Sequence, residues 1–294
     1  MSSSPLAASL LAWYAGAARD LPWRRPDAGP WGVLVSEVML QQTPAARVIP
    51  AYLAWVTRWP SPGALAADPP GEAVRMWGRL GYPRRALRLR QAAVTIGARH
   101  GGQVPADLGD LLALPGVGPY TARAVATFAY GRRHAVVDTN VRRVVARTVL
   151  GQDQAGSPAG DLALVEPLVP TAPATAARFA AALMELGALV CTARTPRCTE
   201  CPLADTCAWR RAGYPVGVAP RRPAQAYTGT DRQVRGLLLE VLRATRGPVA
   251  ADRLDAVWAD PVQRARALDT LVIDGLAHPL PNGAHALDRP VPVE

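Results

Sequence analysis

Apolar side chains recur along most of the chain at the three-to-four-residue spacing of an amphipathic helix. That spacing predicts helices over residues 5–18, 31–42, 44–57, 64–68, 72–78, 83–99, 107–114, 119–130, 139–149, 161–169 and 174–189. Proline and glycine punctuate them at Pro22, Pro26, Pro60 to Pro62, Pro69 to Gly71, Gly101-Gly102 and Pro115 to Pro119. Strand-like alternation is scarce before residue 270, so the pattern predicts an all-α fold. The apolar stretch Leu6–Ala17 ends in small residues, yet no cation precedes it; it reads as a first helix and not as a signal peptide. No uncharged run approaches the roughly 20 residues that a membrane helix needs. The expectation is a cytoplasmic protein with no membrane partner.

The pattern changes after residue 210. Pro215, Pro220, Pro223 and the Arg221-Arg222 pair interrupt any apolar period, as in a linker. Residues 231–244, 250–257 and 261–274 then predict three short helices. Leu276–Leu287, carrying Pro279, Pro281 and Asn282-Gly283, predicts a small hairpin. That order predicts a winged-helix-like module.

The chain has 294 residues, room for about two domains. With 49% hydrophobic and 19% charged residues it can bury a folded core, which excludes wholesale disorder. Its formal charge is +10, and all 33 cations are arginine. Residues 225–294 hold 8 arginines and 9 acidic side chains, so the excess lies on residues 1–224, where it reaches +11. A basic body suits a polyanionic partner. The absence of lysine excludes a Schiff base formed by a lysine side chain.

All four cysteines fall within 17 residues, as Cys191, Cys198, Cys201 and Cys207, spaced C-x6-C-x2-C-x5-C. Four thiolates on one short irregular segment suit a metal centre, either zinc or an iron–sulfur cluster. Two disulfides are the competing arrangement, disfavoured by the tight C-x2-C step and the missing secretion signal.

Leu114-Pro-Gly-Val-Gly-Pro-Tyr120 separates two helical patterns. Gly116 and Gly118 let the backbone turn sharply around Val117 and approach a ligand, and Pro119 suits a first helical turn. The free N–H groups of such a helix start form a phosphate site; an ordinary interhelical turn is the alternative. Glu37 projects from an apolar face with Val33, Leu34 and Leu40 as helical neighbours. Desolvation raises such a carboxyl and equips it as a general acid, unless an arginine pairs with it. Asp138 follows Ala135-Val136-Val137 at a helix start, where it is a natural N-cap and, kept ionised by backbone N–H groups, able to stabilise a cation. Two carboxyls held in opposite protonation states form an arrangement that cleaves glycosidic bonds.

Leu21-Pro-Trp-Arg24, Ser36-Glu-Val-Met-Leu-Gln-Gln-Thr43, Leu80-Gly-Tyr82, Leu114-Pro-Gly-Val-Gly-Pro-Tyr-Thr-Ala122, Val137-Asp-Thr-Asn-Val-Arg-Arg143 and the cysteine array run in order over residues 10–210. Together they resemble the helix-hairpin-helix DNA glycosylase superfamily, and within it the MutY-type adenine glycosylases. The resemblance implies two helical lobes with an iron–sulfur loop, followed by the winged-helix-like module. The glycosylase domain would span residues 1–215, with 21–130 as a barrel lobe carrying the hairpin and with 1–20 and 131–215 as a cluster lobe. Residues 216–230 would be the linker and 231–294 the module.

It further implies a [4Fe–4S] cluster on the four cysteines, and a monomer acting on double-stranded DNA with adenine opposite 8-oxoguanine or guanine, in a bacterial cytoplasm and on the nucleoid. Glu37 would protonate adenine and later activate water, Asp138 would stabilise the oxocarbenium-like sugar, and Asn140 would support the pair. Gln42 and Tyr82 would enter the base stack while the adenine is extruded. Tyr120 stands where the endonuclease III branch has a strand-cutting lysine, which implies a glycosylase that leaves the abasic site uncut. The chain departs from the family at Ala181, where Gln or Glu usually touches the base; selectivity would then lean on Trp23, Arg24, backbone groups and Tyr120. The 70 residues after Ala224 are too few for the usual domain that reads 8-oxoguanine. The nearest rival is a glycosylase removing thymine or uracil opposite guanine.

Overall fold

The computed structural model describes residues 5–153, 156–216 and 227–289. It is helical almost throughout, and residues 217–226, within the expected linker, lie outside the described part. The chain divides into two compact units. The first comprises Met1–Glu37, Pro105–Ala113 and Val117–Arg221; the second comprises Val38–Val104, Leu114–Gly116 and Arg222–Glu294. The division passes through the helix Gly29–Leu40 between Glu37 and Val38.

The first unit gathers the helices Pro5–Ala17, Thr139–Val145, Pro158–Val165 and Pro173–Leu189 around one core. In the last of these Ala176, Phe179, Leu183 and Leu186 recur at helical spacing and are buried. They meet Leu10 from the first helix and Val141 and Val144 from the helix after Asp138. Leu203, inside the cysteine segment, joins the same core and anchors that irregular loop without regular structure. The helix expected over 139–149 is α-helical only to Val145, after which Ala146–Leu150 form a π turn closed by left-handed Gly151. Wide turns of this kind often accompany functional sites. This one carries Arg147, whose Nη1 donates to the Thr192 carbonyl at 2.7 Å.

The second unit stacks the helices Ala45–Arg58, Pro62–Ala67, Pro70–Trp77 and Arg84–Arg99. Trp55 sits edge-on to Trp59 and Trp77 with ring centroids 4.6 and 5.6 Å away, a favourable arrangement of buried rings. The C-terminal segment belongs to this unit. Its helices Asp231–Ala244, Ala251–Asp255 and Pro261–Ile273 precede a two-stranded antiparallel pairing of His278–Pro279 with His285–Ala286. The pairing is shorter than the expected hairpin, and His285, opposite Pro279, exchanges its backbone bonds with Val249 instead, at 2.8 and 2.9 Å. An isolated antiparallel bridge joins Val249 to His285 beside this pairing. Arg264 pairs with Asp255 and Arg266 with Asp231, so both are engaged within the chain.

Candidate active site

Glu37 lies in the last turns of Gly29–Leu40, a helix whose residues from Trp31 to Met39 are all buried. Only 4% of Glu37 is exposed, and its Oε2 is buried without a hydrogen-bond partner. Burial pushes its carboxyl up to about 7. The Tyr120 hydrogen bond opposes that rise, the negative charge of Asp138 adds to it, and the positive charge of Arg24 opposes it. No arginine forms an ion pair with Glu37 among the described residues.

Tyr120 occupies the first turn of Pro119–Tyr130, capped by Gly118. Its ring rests on Ala124, Val136 and Ala180, and this support aims the hydroxyl at Glu37. Burial and the two carboxylates hold the phenol well above its ordinary value, so it remains a donor. Within the hairpin, Gly116 is left-handed, and a Cβ there would come within 2.8 Å of the Arg88 side chain. Gly118 is extended, a conformation open to any residue, and a Cβ there would meet nothing within 4 Å. Its freedom is therefore room for an approaching group, not a backbone requirement. Val117 between them is buried.

Asp138 caps Thr139–Val145, its Oδ1 accepting from Val141 N at 2.7 Å and its Oδ2 from Asn140 Nδ2 at 2.8 Å. Burial raises this carboxyl, and these two bonds and Arg143 oppose the rise. Asp138 is thus not depressed as a capping carboxylate alone would be; both carboxyls feel the same dry surroundings, and the bonds decide which ionises first. Arg143 Nη2 donates to Asn140 Oδ1 at 2.8 Å and to the Gly187 carbonyl at 2.7 Å, while its Nε donates to the Cys191 carbonyl at 2.7 Å. One guanidinium therefore connects the Asp138–Asn140 pair to the first cysteine. Gly187 is required here, because a Cβ would lie 2.6 Å from Asn140 Cβ.

Trp23 is buried in the turn Pro22–Arg24. Arg24 and Arg19 converge on Glu185, which is fully buried, with contacts of 2.8 and 2.6 Å. These two bonds hold Glu185 down to about 2 despite burial. Arg24 is therefore bound to a carboxylate, and the segment before Glu37 is fixed to the helix Pro173–Leu189. Glu185, Arg19 and Gly187 escaped sequence reasoning because their partners lie far away in the chain; a glycine inside a helical period was the one available signal. Gln42, Tyr82 and Gly116 belong to the second unit. Gln42 and Tyr82 both have positive φ, at 57° and 47°, and Tyr82 is 57% exposed.

Cys191, Cys198, Cys201 and Cys207 are free thiols that line one cavity together with Arg147 and Trp209. All four therefore border the same space. A ring of thiols about a cavity suits a polynuclear centre whose bulk separates its ligands. Arg147 Nη1 approaches Cys191 Sγ at 3.5 Å, and Arg147 is itself buried and paired with Asp153. That cation suits the negative charge of an iron–thiolate cluster.

A relative from Mycolicibacterium smegmatis, described as adenine DNA glycosylase, is 56% identical over 288 residues, covering 98% of this chain and 97% of its own length. The chain belongs to the adenine DNA glycosylase family. A second member of the family, from Mycobacterium tuberculosis, is 57% identical over 282 residues, covering 95% and 92% of the two chains. Both alignments run on through most of the C-terminal module. The model of the HhH-GPD superfamily base excision DNA repair proteins matches residues 35–159, and that of the iron–sulfur binding domain of endonuclease III matches residues 191–207. Among solved structures, a thermostable thymine-DNA glycosylase superposes with a TM-score of 0.64 at 28% identity, over 70% of this chain and 95% of its own. The chain is thus a base-excision repair enzyme with the helix-hairpin-helix fold and a [4Fe–4S] cofactor. Among the described residues no helix is long and apolar enough to cross a membrane.

Proposed function

We propose that this enzyme removes adenine opposite 8-oxoguanine or guanine in double-stranded DNA and leaves the abasic strand uncut. The observation that carries the reading is the buried Glu37 carboxyl, held near pH 7 and bonded to Tyr120, with Asp138 close enough to raise it further. Adenine is a poor anionic leaving group, so its departure requires a proton. Glu37 delivers that proton to N7; its partnerless buried oxygen is a site where a substrate atom completes the bonding. The bond from C1′ to N9 then breaks with its electrons going to the base. Asp138, ionised and oriented by Asn140 and Val141, faces the positive charge developing on the sugar. Glu37, now ionised, takes a proton from the attacking water, which restores the acid.

The four cysteines would hold the cluster, which when bound joins the loop through iron–thiolate bonds; the acid–base steps need only the carboxyls, Tyr120 and water. Tyr120 in the hairpin and the absence of lysine leave no side-chain amine for strand cleavage. Trp23 and Arg24 line the approach to Glu37, while Gln42 and Tyr82 fill the stack vacated by the base. The enzyme works as a monomer in the cytoplasm, on the nucleoid when bound to DNA. Thymine or uracil opposite guanine is the second reading, favoured by the likeness to a thymine-DNA glycosylase. Duplexes bearing adenine opposite 8-oxoguanine, adenine opposite guanine, thymine opposite guanine or uracil opposite guanine separate the two. Alkali-dependent cleavage at adenine alone, with no borohydride-trapped adduct, is expected; cleavage at thymine or uracil in place of adenine overturns the reading.

A further inference from the structure

Arg85 is a buried guanidinium, 8% exposed, that lies in the helix Arg84–Arg99 and, among the described residues, bonds to no carboxylate. Its acceptors come from two loops and one helix end. Nη1 donates to the carbonyls of Val38 at 2.8 Å, Met39 at 3.1 Å and Gln41 at 2.6 Å. Nη2 donates to Thr43 Oγ1 at 3.2 Å and to the Gly81 carbonyl at 3.1 Å. Val38 and Met39 end the helix Gly29–Leu40, where carbonyls lack helical partners and the dipole favours a cation. The guanidinium also lies over the rings of Trp77 and Tyr82, at 5.2 and 5.5 Å. Burial pushes Arg85 down to about 10, and it remains a cation at neutral pH.

The two loops share an unusual feature. Gln42 follows one of these carbonyls and Tyr82 follows another, and both are in the left-handed region that non-glycine residues avoid. Such conformations persist only where the surroundings over-determine them. Here the carbonyls of Gln41 and Gly81 are held by one planar fork, and Thr43 Oγ1 additionally donates to the Leu80 carbonyl at 3.2 Å, tying the loops directly. Trp77 Nε1 adds a bond to the Gly81 carbonyl at 2.9 Å. A lysine ammonium cannot span these acceptors, because it offers one nitrogen where arginine offers a rigid five-donor array.

We propose that Arg85 is a positioning residue for base extrusion, holding the Gln42 and Tyr82 loops as one preformed wedge. This rests on reading Gln42 and Tyr82 as the residues that enter the duplex. A preformed wedge spends little of its binding energy on ordering loops, so loosening it lowers extrusion more than it lowers affinity for DNA that is already open.

The test uses the full chain with its cluster, in a Glu37→Gln background that blocks turnover, and a duplex with 2-aminopurine opposite guanine. The fluorescence of 2-aminopurine rises when the base leaves the stack. Arg85→Lys is expected to lower the extruded fraction about ten-fold. Affinity for a duplex holding an abasic analogue should stay within about three-fold, with unchanged absorbance near 400 nm and an unchanged circular dichroism spectrum. Thr43→Val, which removes only the hydroxyl from the clamp, is expected to show a smaller loss in the same direction and serves if Arg85→Lys does not fold. The double variant Gln42→Ala, Tyr82→Ala reports on the wedge itself. If it loses extrusion while both clamp variants match the parent, the role of Arg85 is overturned. An unaffected double variant overturns the wedge reading instead. Equal losses of extrusion and of abasic-duplex affinity in the clamp variants also overturn the proposal, since they indicate general weakening.

Discussion

Glu37 and Asp138 are both pushed upward by burial, yet the chemistry asks one to carry a proton while the other carries a charge. The difference lies in their partners. Asp138 accepts two N–H bonds, which stabilise its anion, whereas Glu37 has one phenol and an empty oxygen. Because the pair is coupled, the proton taken up near neutrality belongs to both, with most of it on Glu37. Single-turnover adenine release should therefore be bell-shaped in pH, its alkaline limb centred near 7 as Glu37 loses the acid form. A rate that stays flat from pH 6 to about 9 would remove Glu37 from the acid role. The same shift has a stability consequence of definite sign. With a folded value above the unfolded 4.5, the native state retains a proton that the unfolded chain releases, so stability falls as pH rises from 4.5 through about 7. Glu37→Gln should abolish turnover and also stabilise the protein at pH 8 by about 3 kcal/mol, with little effect at about pH 4. Thermal unfolding at the two pH values measures it.

Asn140 reaches Asp138 only because two helices approach at a glycine. Within Pro173–Leu189, Gly187 costs about 1 kcal/mol of helix propensity relative to alanine, and it is what lets the Asn140 backbone and Cβ lie against the helix. Gly187→Ala is expected to gain local helix stability yet displace Asn140 and the Arg143 bonds, slowing adenine release about ten-fold while DNA affinity changes little. An unchanged rate under single-turnover conditions would show that the helix yields without moving the site. These contacts mark what was legible in the sequence. The helices were readable because their apolar residues keep a 3.6-residue period, and the carboxyls, hairpin and cysteines because each lies in a compact local motif. The π turn after Val145 was hidden, since its residues continue the same apolar period. The Glu185 triad was hidden because Arg19 and Glu185 are 166 residues apart and only folding brings them together. Arg85 was unremarkable among 33 arginines until its acceptors were visible.

The charge on the whole molecule separates two kinds of surface. The excess of arginine lies on residues 1–224, whereas the C-terminal segment is near-neutral and several of its charged side chains bond within the unit that contains it. Val74 of the helix Pro70–Trp77 is fully buried among Val234, Leu238, Leu242 and Leu271. Asp288 Oδ1 accepts from Gly71 N at 2.5 Å, capping a helix whose own N-cap, Pro69, offers no side chain for the task. Arg75 donates to the carbonyls of Arg243 and Thr245, and Arg243 Nε donates back to the Val74 carbonyl at 3.0 Å. Asp274 pairs with both Arg84 and Arg235. Contacts of this kind make the C-terminal segment part of the second unit's core. Full-length protein should accordingly show one cooperative transition for residues 38–104 and 227–289 together. Asp288→Ala is expected to lower that unit's stability by about 1 kcal/mol, the worth of a lost helix cap, without changing adenine release at 25 °C. Gly71→Ala should cost more, because its methyl group enters the space that the Asp288 carboxylate fills. Hydrogen exchange at Pro70–Trp77 measures both, since losing the cap must raise exchange in that helix if the module holds it. Unaltered exchange there, alongside full activity after removal of residues 227–294, would instead make the module an independent attachment.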